Sequence, residues 1–178
     1  MARRFAYFVK NNILCYKFVD ITWDLGFNRE AKHEYVRRMI DALGKDVGRA
    51  CDVTTGSPVY DTRILSPVFV KVHKSNMSVE DWVNAKIPED TPHRFELPIV
   101  HYAYITGLTE RNLTTISQYD CFFDVFTNPD KGLYNTQAYL VGMVKWMMLN
   151  DKMGLILDYG KFKSFDLEFR DTIQEYIG

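Results

Sequence analysis

The chain has 178 residues, of which 47% are hydrophobic and 25% are charged, and its formal net charge is −1. These values exclude an intrinsically disordered chain and correspond to about one globular domain, which we expect to span residues 1–178. A net charge this close to zero also excludes a surface that attracts polyanions over its whole area, so any contact with nucleic acid must be local.

The cysteines and the apolar stretches indicate the cellular compartment in which the protein resides. Cys15, Cys51 and Cys121 are odd in number and lack CxxC spacing, which argues against a disulfide framework and a structural zinc site. No stretch approaches the roughly 18 apolar residues of a membrane span, and the Lys-Asn-Asn sequence at 10–12 interrupts the first apolar run. The sequence therefore predicts a cytoplasmic protein without a metal site or membrane segment.

The first quarter of the chain has the pattern of a β-hairpin followed by a helix. Strand-like stretches at Phe5–Val9 and Ile13–Trp23 flank an Asn-Asn turn. A helix fits Arg29–Leu43, because apolar residues recur there every four positions. Asn28 is a suitable N-cap for this helix, and Gly44 is a suitable residue just beyond its end.

The pattern then changes from strands to helices. Ser78 and Asp81 have the spacing of a capping box and predict a short helix that ends before Pro88. The sequence predicts an α+β fold, with a small antiparallel sheet in the N-terminal part followed by a mostly helical body. Its other expected elements are strands at Arg49–Thr54 and Ile64–Val72, helices at Ile99–Leu108 and from Asn135 or Thr136 to Leu149, an extended segment at Gly154–Asp158, and a last helix after Ser164.

The segment 119–144 combines acids, aromatic residues and an Asn-Pro-Asp turn directly before the long helix. Loops carry functional residues more often than packing residues, so we expect the site here, with Phe122 among the aromatic residues that stack on a ligand. Burial of Asp120 or Asp124 by the neighbouring rings would raise its pKa towards the range that is useful for proton donation. The alternative is that both aspartates cap or solvate the loop.

The start of the long helix is a candidate phosphate site. Exposed N–H groups near Asn135, helped by Lys131, would bind a pyrophosphate, although Asn135 can also be an ordinary N-cap. Gln137 points either to the ligand or to solvent. Trp82 and Tyr134 are candidates to stack on adenine or guanine, although aromatic residues at these spacings more often belong to the core.

Glu80 is the strongest candidate for a catalytic carboxylate. It lies in the first turn of the predicted short helix, where the helix dipole favours the ionised form that suits a base or a cation stabiliser. The alternative is that it only complements the helix terminus. His101 lies within an apolar helix, where a hydrogen-bonded core histidine is the expected role. No two histidines have metal-ligand spacing such as HxxxH.

Three segments in a fixed order carry a resemblance to a known family: SVEDWVNAK at 78–86, ELPIVHYAYITGL at 96–108, and residues 119–138 with their Asn-Pro turn and Asn-x-Gln-Ala sequence. The chain resembles the NADAR superfamily, specifically the antitoxins found beside ADP-ribosyltransferase toxins that modify guanosine in DNA. A fainter similarity begins upstream at Trp23 and continues through DVTTGS and RILSP, so that the resemblance runs from Trp23 to Met148.

This resemblance implies an N-glycosidase that removes ADP-ribose from a modified guanosine in a nucleotide or nucleic acid, with a toxin as a possible partner. It implies that Glu80 is the catalytic acid of a helix motif that ends at Lys86, and we expect Lys86 to contribute to ligand binding. Such a cleavage develops oxocarbenium character on the sugar, which a carboxylate stabilises while a second group protonates the base. No metal or redox cofactor is needed.

Two other functions are alternatives to an N-glycosidase that acts on guanosine. Residues 81–85 and 66–69 differ from the family pattern, which favours a binding module that has lost catalysis and holds an ADP-ribosylated ligand or a partner protein. The other alternative is the branch of the superfamily that hydrolyses N-glycosidic riboflavin intermediates. The sequence leaves the oligomeric state open.

Overall fold

The structure, a computed structural model, describes residues 1–127, 132–134 and 136–177 and has an α+β fold. Its strands are β1 (Ala2–Lys10), β2 (Ile13–Ile21), β3 (Ala50–Asp52), β4 (Cys121–Phe123) and β5 (Gln174–Glu175). Its helices are α1 (Arg29–Leu43), α2 (Tyr60–Arg63), α3 (Val79–Lys86), α4 (Pro98–Gly107), α5 (Glu110–Gln118), α6 (Gln137–Leu149) and α7 (Tyr159–Phe169), with 3₁₀ turns at Arg94–Glu96 and Met153–Leu157.

The sheet is built around the β1–β2 hairpin. These strands pair antiparallel from Ala2 opposite Ile21 to Lys10 opposite Ile13, and the turn between them uses Asn-Asn at left-handed φ angles of 52° and 63°. The strand order is β3-β4-β1-β2-β5, in which β4 is antiparallel to β1 while β3–β4 and β2–β5 are parallel pairs. The sheet is therefore mixed rather than antiparallel throughout, and the predicted α+β class with strands in the N-terminal part is confirmed.

Helices cover both faces of the sheet. Alternate residues of β1 point to opposite faces, so that Tyr7 packs in the cluster containing α4, α6 and α7, while Phe8 packs in the cluster containing α1. Helix α6 lies closest to the sheet, and Gly142 makes this possible. A Cβ atom at Gly142 would lie 3.1 Å from Tyr7 Cβ and 3.1 Å from Leu14 Cδ1.

Several predicted elements are confirmed with their caps. Helix α1 has the predicted bounds, and the Asn28 side chain accepts a hydrogen bond from the Ala31 N–H at 2.8 Å. Ser78 caps α3 by accepting from the Asp81 N–H at 3.2 Å. The cap of α6 is Thr136, one of the two residues predicted for this position.

Other predictions are wrong. The segment Ile64–Val72 is not a strand, because Ser66 and its neighbours form turns and only Lys71 makes an isolated bridge, to Ser78. The last helix begins at Tyr159 rather than after Ser164, since Asp158 accepts a hydrogen bond from the Lys161 N–H and so acts as the cap. The preceding segment, expected to be extended, is the 3₁₀ turn at Met153–Leu157.

Strand β4 was also expected to be a loop. The acids on either side of it resemble loop residues, but the CFF sequence between them is completely buried in the sheet. Throughout the described ranges, no helix is both long and apolar enough to cross a membrane.

Candidate functional site

A cavity of about 330 Å³ lies at the edge of the sheet where the parallel strands β3 and β4 end. Residues that follow these strands form its floor, and α3, α4 and α6 contribute the walls. Its volume is near the lower end of the range for small-molecule sites, roughly 300–1,000 Å³. The cavity is therefore large enough for part of a nucleotide.

Glu80 lines this cavity from the first turn of α3. Val79 and Val83 are buried on the inner face of the helix. The Glu80 N–H donates to the Pro67 carbonyl at 3.1 Å, and this hydrogen bond holds the backbone of Glu80 in place. The side chain is half-buried. None of the residues that the structure describes forms a hydrogen bond or ion pair with its carboxylate, so the carboxylate is available to a ligand.

The start of α6 lies on the same cavity. Thr136 caps the helix by accepting from the Ala138 N–H at 3.3 Å, and the first N–H groups of a helix have no partner within the helix. Gln137 lines the cavity as well, with its side-chain nitrogen donating to the Leu65 carbonyl at 2.8 Å. A helix start of this kind favours an anionic group.

Asp124 also lines the cavity, directly after β4, and is buried. Its carboxylate accepts hydrogen bonds from the N–H groups of Phe126 (2.8 Å) and Thr127 (3.0 Å) and from the Thr127 hydroxyl. Burial raises the pKa of Asp124, which is the effect expected from the sequence. Because both oxygens already accept hydrogen bonds, Asp124 shapes the cavity wall, and a direct role in catalysis stays a prediction.

Asp52, at the end of β3, was missed by the sequence analysis. It is completely buried and accepts from the N–H groups of Thr54 at 3.0 Å and Val125 at 3.1 Å. Burial, reinforced by the Asp124 carboxylate, raises the pKa of Asp52 to about 7. Two interacting buried carboxyls therefore lie at the ends of β3 and β4, and one of them, Asp124, lines the cavity. An aspartate that ends a short apolar strand was the only available signal.

His101 reaches the cavity from α4. Its Nδ1 lies 3.0 Å from Oδ2 of Asp166, a carboxylate on α7 that is 0% exposed. Arg170, one turn further along, places Nη2 3.7 Å from the same oxygen. The prediction of a hydrogen-bonded core histidine is confirmed, but no local sequence pattern indicated that this ring would also line the cavity.

Asp120 does not belong to this site. It is exposed, and its Oδ2 accepts a hydrogen bond from the Arg49 N–H at 2.8 Å. The side chain packs so closely on Gly48 that a Cβ atom there would lie 2.5 Å from the carboxylate. The geometry gives Asp120 a structural role in holding the turn before β3, and a catalytic role for it stays a prediction without support from the cavity.

Four predicted ligand-binding residues lie away from the cavity. Phe122 is a fully buried residue of β4, and Lys86 is exposed at the end of α3. Trp82 packs against the core, and Tyr134 packs on Tyr139 while its hydroxyl donates to the Arg170 carbonyl. None of these residues lines the cavity, so their roles in binding a ligand stay predictions. Lys131 and Asn135, the other two predicted residues of the phosphate site, lie outside the described residues.

Three aromatic residues that the sequence analysis did not identify line the cavity: Phe95, Tyr104 and Phe126. Phe95 precedes α4 and is 41% exposed. Phe126 follows Asp124 and packs on Gly56, where a Cβ atom would lie 2.4 Å from the ring. Gly56 thus makes room for the ring that forms this wall.

Within residues 1–127, 132–134 and 136–177, no group of three or more His, Cys, Asp or Glu side chains is placed to hold a metal ion. A scan against models of protein families finds no match for the chain, and a search among curated proteins finds none either. The function of the cavity therefore follows from its own side chains.

Proposed function

We propose that the protein is an N-glycosidase that removes ADP-ribose from a modified base, with guanosine in a nucleotide or nucleic acid as the base. One observation carries the proposal: the carboxylate of Glu80 and the start of α6 line the same cavity, although they are far apart in the sequence. A carboxylate opposite an anion-binding helix start suits a substrate that joins a ribosyl centre to a pyrophosphate.

Glu80 is the proposed catalytic carboxylate. As the bond between the ribose carbon and the base nitrogen lengthens, positive charge develops on the sugar, and an ionised carboxylate stabilises that charge. The same group then accepts a proton from the water that attacks the sugar carbon. Its lack of a partner among the described residues supports this role, because a carboxylate already bound to a cation would be a weaker base.

The rest of the cavity would bind the remaining parts of the substrate. The N–H groups at the start of α6 would bind the pyrophosphate, and Phe95 and Phe126 would contact the base or the adenine. The reaction is a hydrolysis and requires no redox cofactor. The proposal also keeps the protein in the cytoplasm, where a guanosine-modifying ADP-ribosyltransferase would supply the substrate and where Cys15, Cys51 and Cys121 remain free thiols.

The test compares two adjacent acids of α3. We expect Glu80→Gln to reduce ADP-ribose release from ADP-ribosylated guanosine by at least about 100-fold, because the amide can neither stabilise the cation nor accept the proton. Asp81→Asn, at an exposed position of the same helix turn, is the matched control and should retain the wild-type rate. Release is measured by chromatography, and thermal melting verifies that both variants fold.

Equal rates for the wild type and Glu80→Gln would reject the catalytic assignment. Calorimetry with ADP-ribose then distinguishes an enzyme from the alternative, a protein that binds the ligand without cleaving it. Binding by the wild-type protein without any turnover would instead identify a binding module that holds an ADP-ribosylated ligand.

A further inference from the structure

We propose that His101 is the proton donor to the departing base, held in position by Asp166, an inference that rests on the proposed function. N-glycoside cleavage needs such a group, because the base nitrogen leaves with the electron pair of the broken bond and must be protonated. Glu80 cannot supply this proton, since its role requires the ionised form. A second group on the cavity therefore has to carry it.

His101 fits this role better than the other groups on the described part of the cavity wall. Asp124 accepts hydrogen bonds on both oxygens from the Phe126–Thr127 segment. The Tyr104 hydroxyl donates to the Leu65 carbonyl at 2.6 Å, and burial raises its pKa far above the neutral range. Among the described residues of the wall, His101 is the one side chain that can carry a positive charge and donate a proton from it.

The second observation is the arrangement behind the ring. Asp166 is completely buried and lies 3.0 Å from Nδ1, so a proton on Nδ1 is donated to the carboxylate and Nε2 remains for a ligand in the cavity. The buried carboxylate of Asp166 stabilises the imidazolium of His101. Arg170, whose Nη2 lies 3.7 Å from Oδ2 of Asp166, offsets part of the negative charge of that carboxylate. The same arrangement of a carboxylate behind an imidazole orients the histidine in acid–base catalysis generally.

The proposed step balances as follows. The bond between the ribose carbon and the base nitrogen breaks, its electron pair goes to the nitrogen, and the Nε2 proton of His101 is transferred to that nitrogen. Water adds to the ribose carbon and gives a proton to Glu80. Exchange with solvent then returns one proton to His101 and removes one from Glu80, so that the net reaction is hydrolysis.

The first test is the pH dependence of kcat/KM for ADP-ribosylated guanosine with the wild-type protein. The rate should fall as the pH rises through the range in which histidine loses its proton. The groups that face His101 and contribute to this profile are Asp166 and Arg170 on α7, Tyr139 on α6, Tyr104 on α4, Glu80 on α3 and Asp124 after β4. A rate that stays constant over this range would overturn the proposal without any variant.

The second test uses variants. His101→Gln should reduce kcat on the order of 10²–10⁴-fold and remove the alkaline decrease, whereas His73→Gln, an exposed histidine away from the cavity, should change neither. Asp166→Asn should shift the alkaline decrease to lower pH, because the imidazolium loses its carboxylate. A purely structural role would lower the rate and leave the shape of the profile unchanged, which would overturn the proposal.

The two proposals fail in different ways. If the wild-type protein releases no ADP-ribose, the proposed function and the role of His101 are both overturned. If the wild type is active and Glu80→Gln is inactive, but His101→Gln retains the wild-type profile, only the role of His101 is overturned.

Discussion

The three acidic residues predicted to be catalytic differ in how their oxygens are used, and this decides the role that we assign to each. Asp120 and Asp124 accept hydrogen bonds from nearby backbone N–H groups and hold the local chain. Glu80 has no such partner among the described residues, although it is half-buried. A carboxylate that is withdrawn from water without a protein partner is an unfavourable arrangement unless a ligand makes use of it.

The Asp52–Asp124 pair gives a prediction for stability. Burial raises the pKa of Asp52 to about 7, so from about pH 4 to 7 the unfolded chain loses this proton while the folded protein keeps it. The unfolded state then binds fewer protons, and the free energy of unfolding falls as the pH rises. We expect the difference in this free energy between the wild type and Asp52→Asn to fall by on the order of 3 kcal/mol over this range and to be constant above it.

Denaturant unfolding of both proteins at several pH values measures this difference. Other acids titrate equally in the wild type and in Asp52→Asn, so their contributions cancel in the difference between the two free energies of unfolding. A difference that is constant, or that rises with pH, would show that the buried carboxyl is ionised in the folded protein at pH 5.

Helix α6 joins the core to the cavity. Nine of its residues are buried against the sheet and α5, and the Lys145 Nζ donates to the carbonyls of Ile116 (3.4 Å) and Ser117 (3.1 Å) at the end of α5. The helix is thereby fixed along its length, and its first turn reaches the cavity in a fixed position. Because the helix start is already ordered, binding of an anion there does not cost the conformational entropy of ordering the helix.

A substitution at Gly142 tests how closely α6 packs on β1. Gly142→Ala places a methyl group 3.1 Å from Tyr7 Cβ, which belongs to a central strand and cannot move freely. Overpacking typically lowers the free energy of unfolding by about 1–3 kcal/mol, while the higher helix propensity of alanine restores up to about 1 kcal/mol. We expect a net loss of about 1 kcal/mol, measured by thermal or denaturant unfolding.

Gly154→Ala is the matched control, because a Cβ atom at this position has nothing within 4 Å. Its free energy of unfolding should stay within about 0.5 kcal/mol of the wild type. A Gly142→Ala protein that is more stable than the wild type would mean that α6 and β1 are less closely packed than described.

Elements with their own local signals could be predicted from the sequence. Helix α1 has an Asn28 cap, a four-residue apolar repeat and Gly44, and both of its bounds were predicted. Strand β4 has only three residues, and it is a strand because β1 and β3 pair with it on either side. Such pairing depends on residues far away in the sequence, so no local pattern reveals it.

The same distinction applies to the candidate site. Glu80 and Gln137 could be named because each lies at a recognisable helix start. Asp52, His101 and Phe95 could not. Asp52 meets Asp124 only through the pairing of β3 with β4, and His101 and Phe95 reach the cavity only through the tertiary packing around α4. The prediction for Asp120 gains no support from the cavity, because strand β4 separates Asp120 at its start from Asp124, which follows its end and lines the cavity.

At the scale of the whole molecule, the cavity lies where elements from most of the chain meet. The formal net charge of −1 gives no long-range attraction for nucleic acid, so recognition of a substrate must come from contacts within the cavity. The described lining offers two carboxylates, one helix start, one imidazole and three aromatic rings for these contacts. The modified nucleotide itself, rather than its carrier, is therefore the unit that we expect the protein to recognise.

The most direct measurement is a crystal structure of the Glu80→Gln protein with ADP-ribosylated guanosine. The proposed function predicts that the bond between ribose and base lies beside residue 80, with the pyrophosphate at the N–H groups that begin α6. A ligand bound outside the cavity, or one bound with its pyrophosphate beside residue 80, would contradict it.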